Sequence, residues 1–170
     1  MTKKATHTPR LALFAGTFDP VTLGHLDILR KSLRLFDRVV VAIAIGHHKT
    51  PLFTVEERTE MFEESLTPEE LERVDIHAFE GLLVDVARRF GALVVVRGLR
   101  YVSDFEFEMQ MAELNRKLHP DMETVFLPPS EKYGAVNSTL IKQIAEGGGS
   151  LRDLVPPGVS RRLRQRFRRR

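Results

Sequence analysis

The residues best suited to chemistry lie in the segment 16–25, which reads GTFDPVTLGH. An apolar run over 11–15 precedes it and an amphipathic run over 26–36 follows it, which predicts a strand, a tight turn and a helix that opens with Gly24-His25. The unpaired N–H groups and the positive dipole end of a helix start attract anions. Glycine allows the backbone to approach a ligand, and the histidine adds a donor. The segment therefore predicts a phosphate site, suited to a nucleoside triphosphate.

Polar residues also follow the other predicted strands. Apolar runs at 11–15, 39–45, 74–78, 93–96 and 124–127 predict strands, and the near-continuous runs 39–45 and 93–96 are typical of strands covered on both faces. Glycines, cations and hydroxyls come after them in four segments: 46–49 (GHHK), 97–100 (RGLR), 128–133 (PPSEKY) and 137–139 (NST). There is no Asp/Glu dyad among them and no Ser-His-acid spacing. Cations and backbone donors at one edge suit a polyphosphate held for in-line displacement.

Helical patterns separate the strands. They cover 24–36, about 54–66, 82–90, about 103–118 and 138–145. Thr54 and Glu57 predict one capping box, and Ser103 and Glu106 predict a second. Gly91 and the glycines at 147–149 are placed to end helices. Alternating strands and helices predict a Rossmann-like α/β fold, with a parallel five-stranded sheet, helices on both faces and ligands at the carboxyl ends of the strands.

Length and composition indicate one globular domain over residues 1–170, with 1–9 as a flexible lead. The content is 42% hydrophobic and 29% charged, and the 170 residues include no cysteine. Disulfides, thiolate metal sites and cysteine nucleophiles are therefore excluded. No apolar run approaches the roughly 20 residues of a membrane span, and no signal peptide is visible, so we expect a cytoplasmic protein.

The net charge of +3 comes from the last ten residues, 161–170, which hold seven of the 26 basic residues. Without them, 19 basic residues face 23 acidic ones, so the basicity belongs to a tail. Val159, Leu163 and Phe167 recur every four residues, which predicts an arginine-rich terminal helix over 158–170 docked on the domain, with its arginines on the solvated face. Attachment to nucleic acid is the less favoured interpretation.

Five ordered motifs resemble the phosphopantetheine adenylyltransferase family. Residues 16–25 carry a Thr-x-Gly-His signature similar to the one that nucleotidyltransferases share with class I aminoacyl-tRNA synthetases. The other motifs are 49–58 (KTPLFTVEER), 97–100 (RGLR), 104–110 (DFEFEMQ) with Asn115, and 137–139 (NST). The resemblance covers roughly residues 10–160. This chain departs from the usual family pattern at two positions. Asn137 stands where serine is common, and Tyr133 stands where tryptophan is common.

The resemblance implies transfer of the adenylyl group of ATP to 4′-phosphopantetheine, giving dephospho-CoA and pyrophosphate without a covalent enzyme intermediate. It implies that Thr17 contacts both substrates and that His25 binds phosphate and stabilises the transition state. Lys49 and Arg97 would hold the incoming phosphate, with Leu83 near the pantetheine arm. The other positions implied to contact ATP are Phe18, Gly98, Leu99, Arg100, Glu108, Tyr133, Gly134, Ala135, Val136, Asn137, Ser138 and Thr139.

The family also implies Mg²⁺ brought with ATP and few or no protein ligands for it, a homohexamer, and CoA as a competing inhibitor. Two alternatives stay open. One is a related nucleotidyltransferase that acts on nicotinate mononucleotide or glycerol phosphate, which Lys49 and the 97–100 motif disfavour. The other is a nucleotide- or RNA-binding protein without turnover that uses the arginine tail. An aminoacyl-tRNA synthetase is excluded by length and by the lack of a Lys-Met-Ser-Lys-Ser-like loop.

Overall fold

The computed structural model describes residues 9–46 and 51–168, without the side chain of Ser103. The lead at 1–8 and the residues His47, His48 and Lys49 therefore lie outside the described residues. Within them, the strands are β1 (Leu11–Gly16), β2 (Arg38–Ala44), β3 (Val74–Phe79), β4 (Val94–Gly98) and β5 (Glu123–Leu127). All pairings are parallel and the strand order is β3-β2-β1-β4-β5. The predicted parallel five-stranded sheet is confirmed.

Helices cover both faces of this sheet, as the near-continuous apolar strands predict. The helices are α1 (Leu23–Leu35), α2 (Val55–Glu63), α3 (Pro68–Leu71), α4 (Leu83–Phe90), α5 (Val102–Leu118), α6 (Ser138–Glu146) and α7 (Pro157–Arg168), with a 3₁₀ turn at Glu131–Tyr133. Alternate residues of β1 enter two separate apolar clusters. Ala12 and Phe14 pack with buried residues of α1, α2, α6 and α7, whereas Leu13 and Ala15 pack with those of α4.

Local end signals were correct for several helices. Thr54 and Glu57 form the predicted capping box at the start of α2. Gly91 ends α4 in the left-handed conformation, with φ 66°, which glycine adopts without a steric cost. A third capping box, Thr67 with Glu70, opens the short helix α3, which the sequence interpretation did not include although its Thr-x-x-Glu signal was present.

The predicted capping box of Ser103 and Glu106 is wrong. The helix α5 begins at Val102 after the N-cap residue Tyr101, whose side chain makes no cap hydrogen bond, so Ser103 lies inside the helix. The first turn is instead closed by the N–H of Asp104, which donates to the carbonyl oxygen of Tyr101 at 3.0 Å. The start of α5 therefore follows the path of the chain after β4 rather than the local Ser-x-x-Glu pattern.

The terminal helix α7 docks on the domain, as its apolar spacing predicts. Val159 and Leu163 are buried and Phe167 packs against the same cluster. Two arginines are not simply solvated. Arg162 donates to Glu60 at 2.9 Å and to Glu64 at 2.7 Å.

Arg166 is the second of these arginines. It pairs with Glu57 and lies over the ring of Phe53, 4.9 Å from its centroid. The basic tail is thus partly matched by acidic residues of the same chain, on α2. Among the described residues, no helix is long and apolar enough to cross a membrane.

Candidate active site

A cavity of about 640 Å³ opens at the carboxyl ends of β1 and β4. The connection from β1 leads to one neighbouring strand, β2, and β4 lies on the other side, so this is the point where the strand order reverses and where open α/β sheets bind ligands. Predicted site residues that line the cavity are Thr17, Phe18, His25, Arg97, Gly98, Arg100, Glu108, Tyr133, Val136, Asn137, Ser138 and Thr139. Folding brings four sequence-distant motifs together at one place.

Four predicted residues do not line this cavity, and one lies outside the described residues. Leu83 is the first residue of α4 and packs against the apolar cluster on that face. Leu99 is held by its N–H, which donates to the carbonyl oxygen of Leu127 at 3.0 Å. Gly134 and Ala135 follow the 3₁₀ turn and lie in the chain between the lining residues Tyr133 and Val136. Lys49 is the residue that the structure does not describe.

The side chain of His25 is fixed by the start of its own helix. It occupies the third position of α1, where its Nδ1 atom accepts the backbone N–H of Thr22 at 3.1 Å. In return, the N–H of His25 donates to the Thr22 hydroxyl at 3.3 Å. This is a capping box in which histidine takes the place usually held by glutamate or glutamine. The ring orientation therefore follows from residues three apart in the sequence.

This bond also determines which ring nitrogen of His25 carries the proton. Since Nδ1 accepts a backbone hydrogen, the neutral ring carries its proton on Nε2 and offers that N–H as a donor. Burial, followed by the positive charges of Arg100 and Arg97, lowers the pKa of His25 from 6.5 to about 4. The ring is therefore neutral near pH 7 and can donate one hydrogen bond without carrying a charge.

Phe18 supports the histidine from below. Its ring is buried and meets the ring of His25 edge-on, with 5.0 Å between centroids, and it also contacts Phe14 and Phe62. Phe18 has φ 48°, which turns its ring back under the loop, and a Cβ at Gly16 would lie 3.0 Å from that ring. The glycine therefore makes room for a protein side chain, whereas the sequence suggested room for a ligand.

The cations that line the cavity are already in ion pairs. Arg97 donates from Nε and Nη2 to the two oxygens of Glu108, at 2.8 and 2.6 Å, and from Nη1 to the carbonyl oxygen of Ala15 at 2.7 Å. Arg100 lies 3.3 Å from a carboxylate oxygen of Asp104. Three contacts leave two of the five N–H donors of Arg97 for another acceptor. The arginine is thus held in a fixed orientation and can still grip an anion.

A second helix start, that of α6, faces the same cavity. The side chain of Asn137 is the N-cap and accepts the N–H of Leu140 at 2.9 Å, and the hydroxyl of Ser138 donates to the carbonyl oxygen of Pro20 at 2.8 Å. These side chains therefore support the backbone, and the remaining N–H groups of the first turn stay near the cavity. Asparagine and serine are both strong N-caps, so the departure at Asn137 keeps this role.

Comparison with known proteins adds a family to this geometry. The cytidylyltransferase-like family model matches residues 13–144. A protein from Thermodesulfovibrio yellowstonii named phosphopantetheine adenylyltransferase is 47% identical over 160 residues, which are 94% of this chain and 98% of the relative. One of the same name from Gloeobacter violaceus is 49% identical over 157 residues, 92% of this chain and 96% of the relative. The chain belongs to the phosphopantetheine adenylyltransferase family. The resemblance carried by the five motifs is confirmed.

Solved structures confirm the fold of this family member. A protein described as a nicotinate-nucleotide adenylyltransferase from Vibrio parahaemolyticus superposes with a TM-score of 0.68 and 20% identity, covering 94% of this chain and 96% of that one. A bifunctional NMN adenylyltransferase/ADP ribose pyrophosphatase from Francisella tularensis gives 0.68 and 16%, covering 93% and 49%. At these identities the likeness concerns the nucleotidyltransferase fold.

Sequence reasoning missed three charged residues around the adenylyltransferase cavity. Asp19, a residue of the 16–25 motif, is buried and pairs with Lys142 at 2.7 Å. Lys142 lies on α6 three residues after Thr139, and that helical spacing was the signal that could have placed it at the cavity. Arg58, which ends the 49–58 motif, is buried beneath the loops. Its position inside a matching motif was the available signal.

Proposed function

We propose that this chain transfers the adenylyl group of ATP to 4′-phosphopantetheine, giving dephospho-CoA and pyrophosphate. The observation that carries the proposal is the near-full-length similarity to proteins named phosphopantetheine adenylyltransferase. The cavity supports it, because two helix starts and the cations Arg97, Arg100 and Lys142 lie around it. Such a site favours direct attack of one phosphate on another, with the protein aligning anions and neutralising charge.

The nucleotide would lie along the starts of α1 and α6. Thr17 and the two helix starts offer donors to the triphosphate, and Arg100 adds a positive charge close by. Tyr133 offers an aromatic face, partly buried against the main apolar cluster. We assign main-chain contacts with the nucleotide to residues 134–139, because the side chains of Asn137 and Ser138 already form hydrogen bonds within the protein.

The acceptor phosphate would be held by Arg97, with Lys49 as its partner by family resemblance. Arg97 extends from the end of β4 into the cavity and keeps two donors, so it can bind a phosphate while remaining paired with Glu108. A charge-assisted hydrogen bond of this kind contributes about 1.5–3 kcal/mol. Leu83 is proposed to meet the pantetheine arm at the other end of the acceptor.

His25 is the residue that we propose to act at the reacting phosphorus. Its Nε2–H is a neutral donor whose direction is fixed by the capping box, so it needs no reorganisation as negative charge grows on the transferred phosphate. A donor that strengthens its bond only in the transition state raises kcat more than it raises ATP affinity.

Mg²⁺ is proposed to enter with ATP. Among the described residues there is no group of three or more acidic, histidine or cysteine side chains that could hold a metal ion. The two carboxylates at the cavity, Asp19 and Glu108, are both in ion pairs. Phosphate oxygens and water are the ligands that Mg²⁺ prefers at such sites, where the ion neutralises phosphate charge.

We also propose a homo-oligomer, a hexamer by family resemblance, in the cytoplasm and inhibited by competing CoA. The support for assembly is the apolar outer face of α5. Its exposed side chains are Phe107, Met111, Leu114 and Leu118, which recur every three or four residues along the helix. A continuous apolar face of this kind on a surface helix is typical of a protein–protein contact. Sedimentation at several concentrations tests the assembly.

The activity is tested by pyrophosphate release from ATP with and without 4′-phosphopantetheine, nicotinate mononucleotide and glycerol phosphate. We expect release that depends on phosphopantetheine. His25→Ala should lower kcat about a hundredfold or more and weaken ATP binding only modestly. His77→Ala is the matched control, because His77 packs on the ring of Phe90 away from the cavity. Unchanged turnover in His25→Ala would remove this residue from the mechanism.

A further inference from the structure

The carboxylate of Asp19 joins three segments that surround the cavity. It lies in the loop after β1 and is only 4% exposed. One oxygen accepts the N–H of Phe53 at 3.0 Å, and the other accepts the N–H of Leu52 at 2.9 Å and the ammonium of Lys142 at 2.7 Å. A buried carboxylate with three donors is fully compensated, so this position is well defined. A single side chain thus connects the loop, the segment before α2 and the helix α6.

The guanidinium of Arg58 makes a second set of connections beneath the same loops. The residue is 1% exposed. It donates to the carbonyl oxygens of Thr17 and Ala44, both at 2.7 Å, and of Phe53 at 3.2 Å. Longer bonds reach Ile45 and Thr54, each at 3.3 Å. Arg58 therefore ties the end of β1 to the end of β2 and to the start of α2.

Burial lowers the pKa of Arg58, and the negative charges of Asp19 and Glu56 raise it. Arginine stays protonated even so. The negative charge of Asp19 therefore stabilises the buried guanidinium of Arg58. Removing Asp19 takes this stabilisation away, whereas Asp19 without Arg58 would still be paired with Lys142.

The two anchors lie on either side of the cavity wall formed by Gly46 and Pro51. Arg58 holds the chain at 44–45, just before this wall, and Asp19 holds it at 52–53, just after. Both also hold the loop that carries Thr17. The positions of Gly46 and Pro51 relative to the loop are therefore fixed.

We infer that Asp19 and Arg58 are positioning residues that set the width of the cavity between the loop after β1 and the segment after β2. The inference rests on the proposed function, because a nucleotide and an acceptor must then meet across that gap. Misplacement of a reacting group by about 1 Å can cost about a hundredfold in rate. Neither residue needs to touch a substrate to have this effect.

The test compares Asp19→Asn, Arg58→Lys and the double variant with the wild type. Asparagine keeps the shape but not the charge, and lysine keeps the charge but cannot reach five carbonyl oxygens. We expect kcat to fall about tenfold to a hundredfold in each single variant, while calorimetry still finds one ATP bound per folded chain. The double variant should lose less than the product of the single losses, because both residues fix the same gap.

The matched control is Asp75→Asn, an exposed carboxylate paired with Arg38 at the opposite end of the strands. It should leave kcat, KM and ATP stoichiometry unchanged. If Asp19→Asn keeps the wild-type kcat, the inference is wrong. It is also wrong if kcat falls only in proportion to the number of chains that still bind ATP, because that result reports unfolding. If the wild type itself shows no acceptor-dependent pyrophosphate release, it is the proposed function that fails.

Discussion

The helices α1 and α5 both leave the carboxyl end of a central strand and both carry a residue of the cavity, yet they are built differently. His25 on α1 sits in a capping box, and the helix buries Leu26, Ile28, Leu29 and Leu33. Glu108 lies well inside α5, whose N-cap makes no side-chain bond, and the outer face of that helix is apolar and exposed.

The difference shows two ways of holding a functional side chain. On α1, local hydrogen bonds and the core of the chain itself fix His25. On α5, Glu108 is fixed by its partner Arg97 on β4, and the apolar outer face is left for another surface to cover. We therefore expect substitutions on α1 to change the stability of the single folded chain. Substitutions on the outer face of α5 should instead change the strength of self-association.

Truncation of a core residue on α1 should have the largest effect. Leu29 is fully buried, so Leu29→Ala should lower the free energy of unfolding by about 2–5 kcal/mol, measured by urea denaturation. Leu114→Ala on α5 is the matched change, since Leu114 is 52% exposed. It should alter unfolding of a dilute, dissociated chain by less than about 0.5 kcal/mol and weaken self-association in sedimentation. Equal losses of unfolding free energy in Leu29→Ala and Leu114→Ala would contradict this difference between the two helices.

The pH dependence of stability should come from α1. The pKa of His25 is about 4 in the folded chain and 6.5 in the unfolded one, so between these values only the unfolded chain takes up the proton. Stability must then fall as pH drops from 6.5 to 4, by up to about 3 kcal/mol. The lowered pKa of the Asp27 carboxyl acts in a separate window, below 3.8.

Urea denaturation between pH 7 and 4 measures this slope in the wild type and in His25→Asn. Removing the imidazole should flatten the slope over this window. Parallel curves for the two proteins would show that His25 does not carry the linkage.

Changes at the two caps should have the smallest effects and opposite signs. Thr22→Ala removes the hydroxyl that accepts the N–H of His25 and should cost about 1 kcal/mol. Tyr101→Ser would supply the side-chain acceptor that α5 lacks and should add about 0.5 kcal/mol in a dissociated chain. Thermal unfolding of the dilute proteins measures both. A stabilised Thr22→Ala would contradict the capping role.

Elements with strong local signals could be predicted from the sequence alone. The structure agrees with the patterns of the apolar runs in β1 and β2, the capping box of Thr54 and the glycine at 91. Each of these patterns depends only on residues that lie close together in the chain. The start of α5 could not be predicted in this way. The Ser103 pattern was locally sound, but the exit from β4 and the pair of Arg100 with Asp104 place the N-cap two residues earlier, at Tyr101.

The same division applies to the candidate site. The predicted strand ends pointed to His25 and Arg97 as phosphate-binding candidates, and the family resemblance added Thr17. Neither could show that the ring of Phe18 is buried under His25, or that Asp19 bonds to residues more than thirty positions away. Those contacts depend on how distant segments pack.

By itself, the sequence determined the α/β class, the order of the strands and helices along the chain, and the family. These follow from periodicity and from motifs whose residues lie close together in the chain. Only the tertiary structure decided that His25 is neutral, that Arg97 is already paired, and that Asp19 and Arg58 bond to segments distant in the chain. Protonation, pairing and spacing are set by burial and by partners far away in sequence, and neither is visible until the chain is folded.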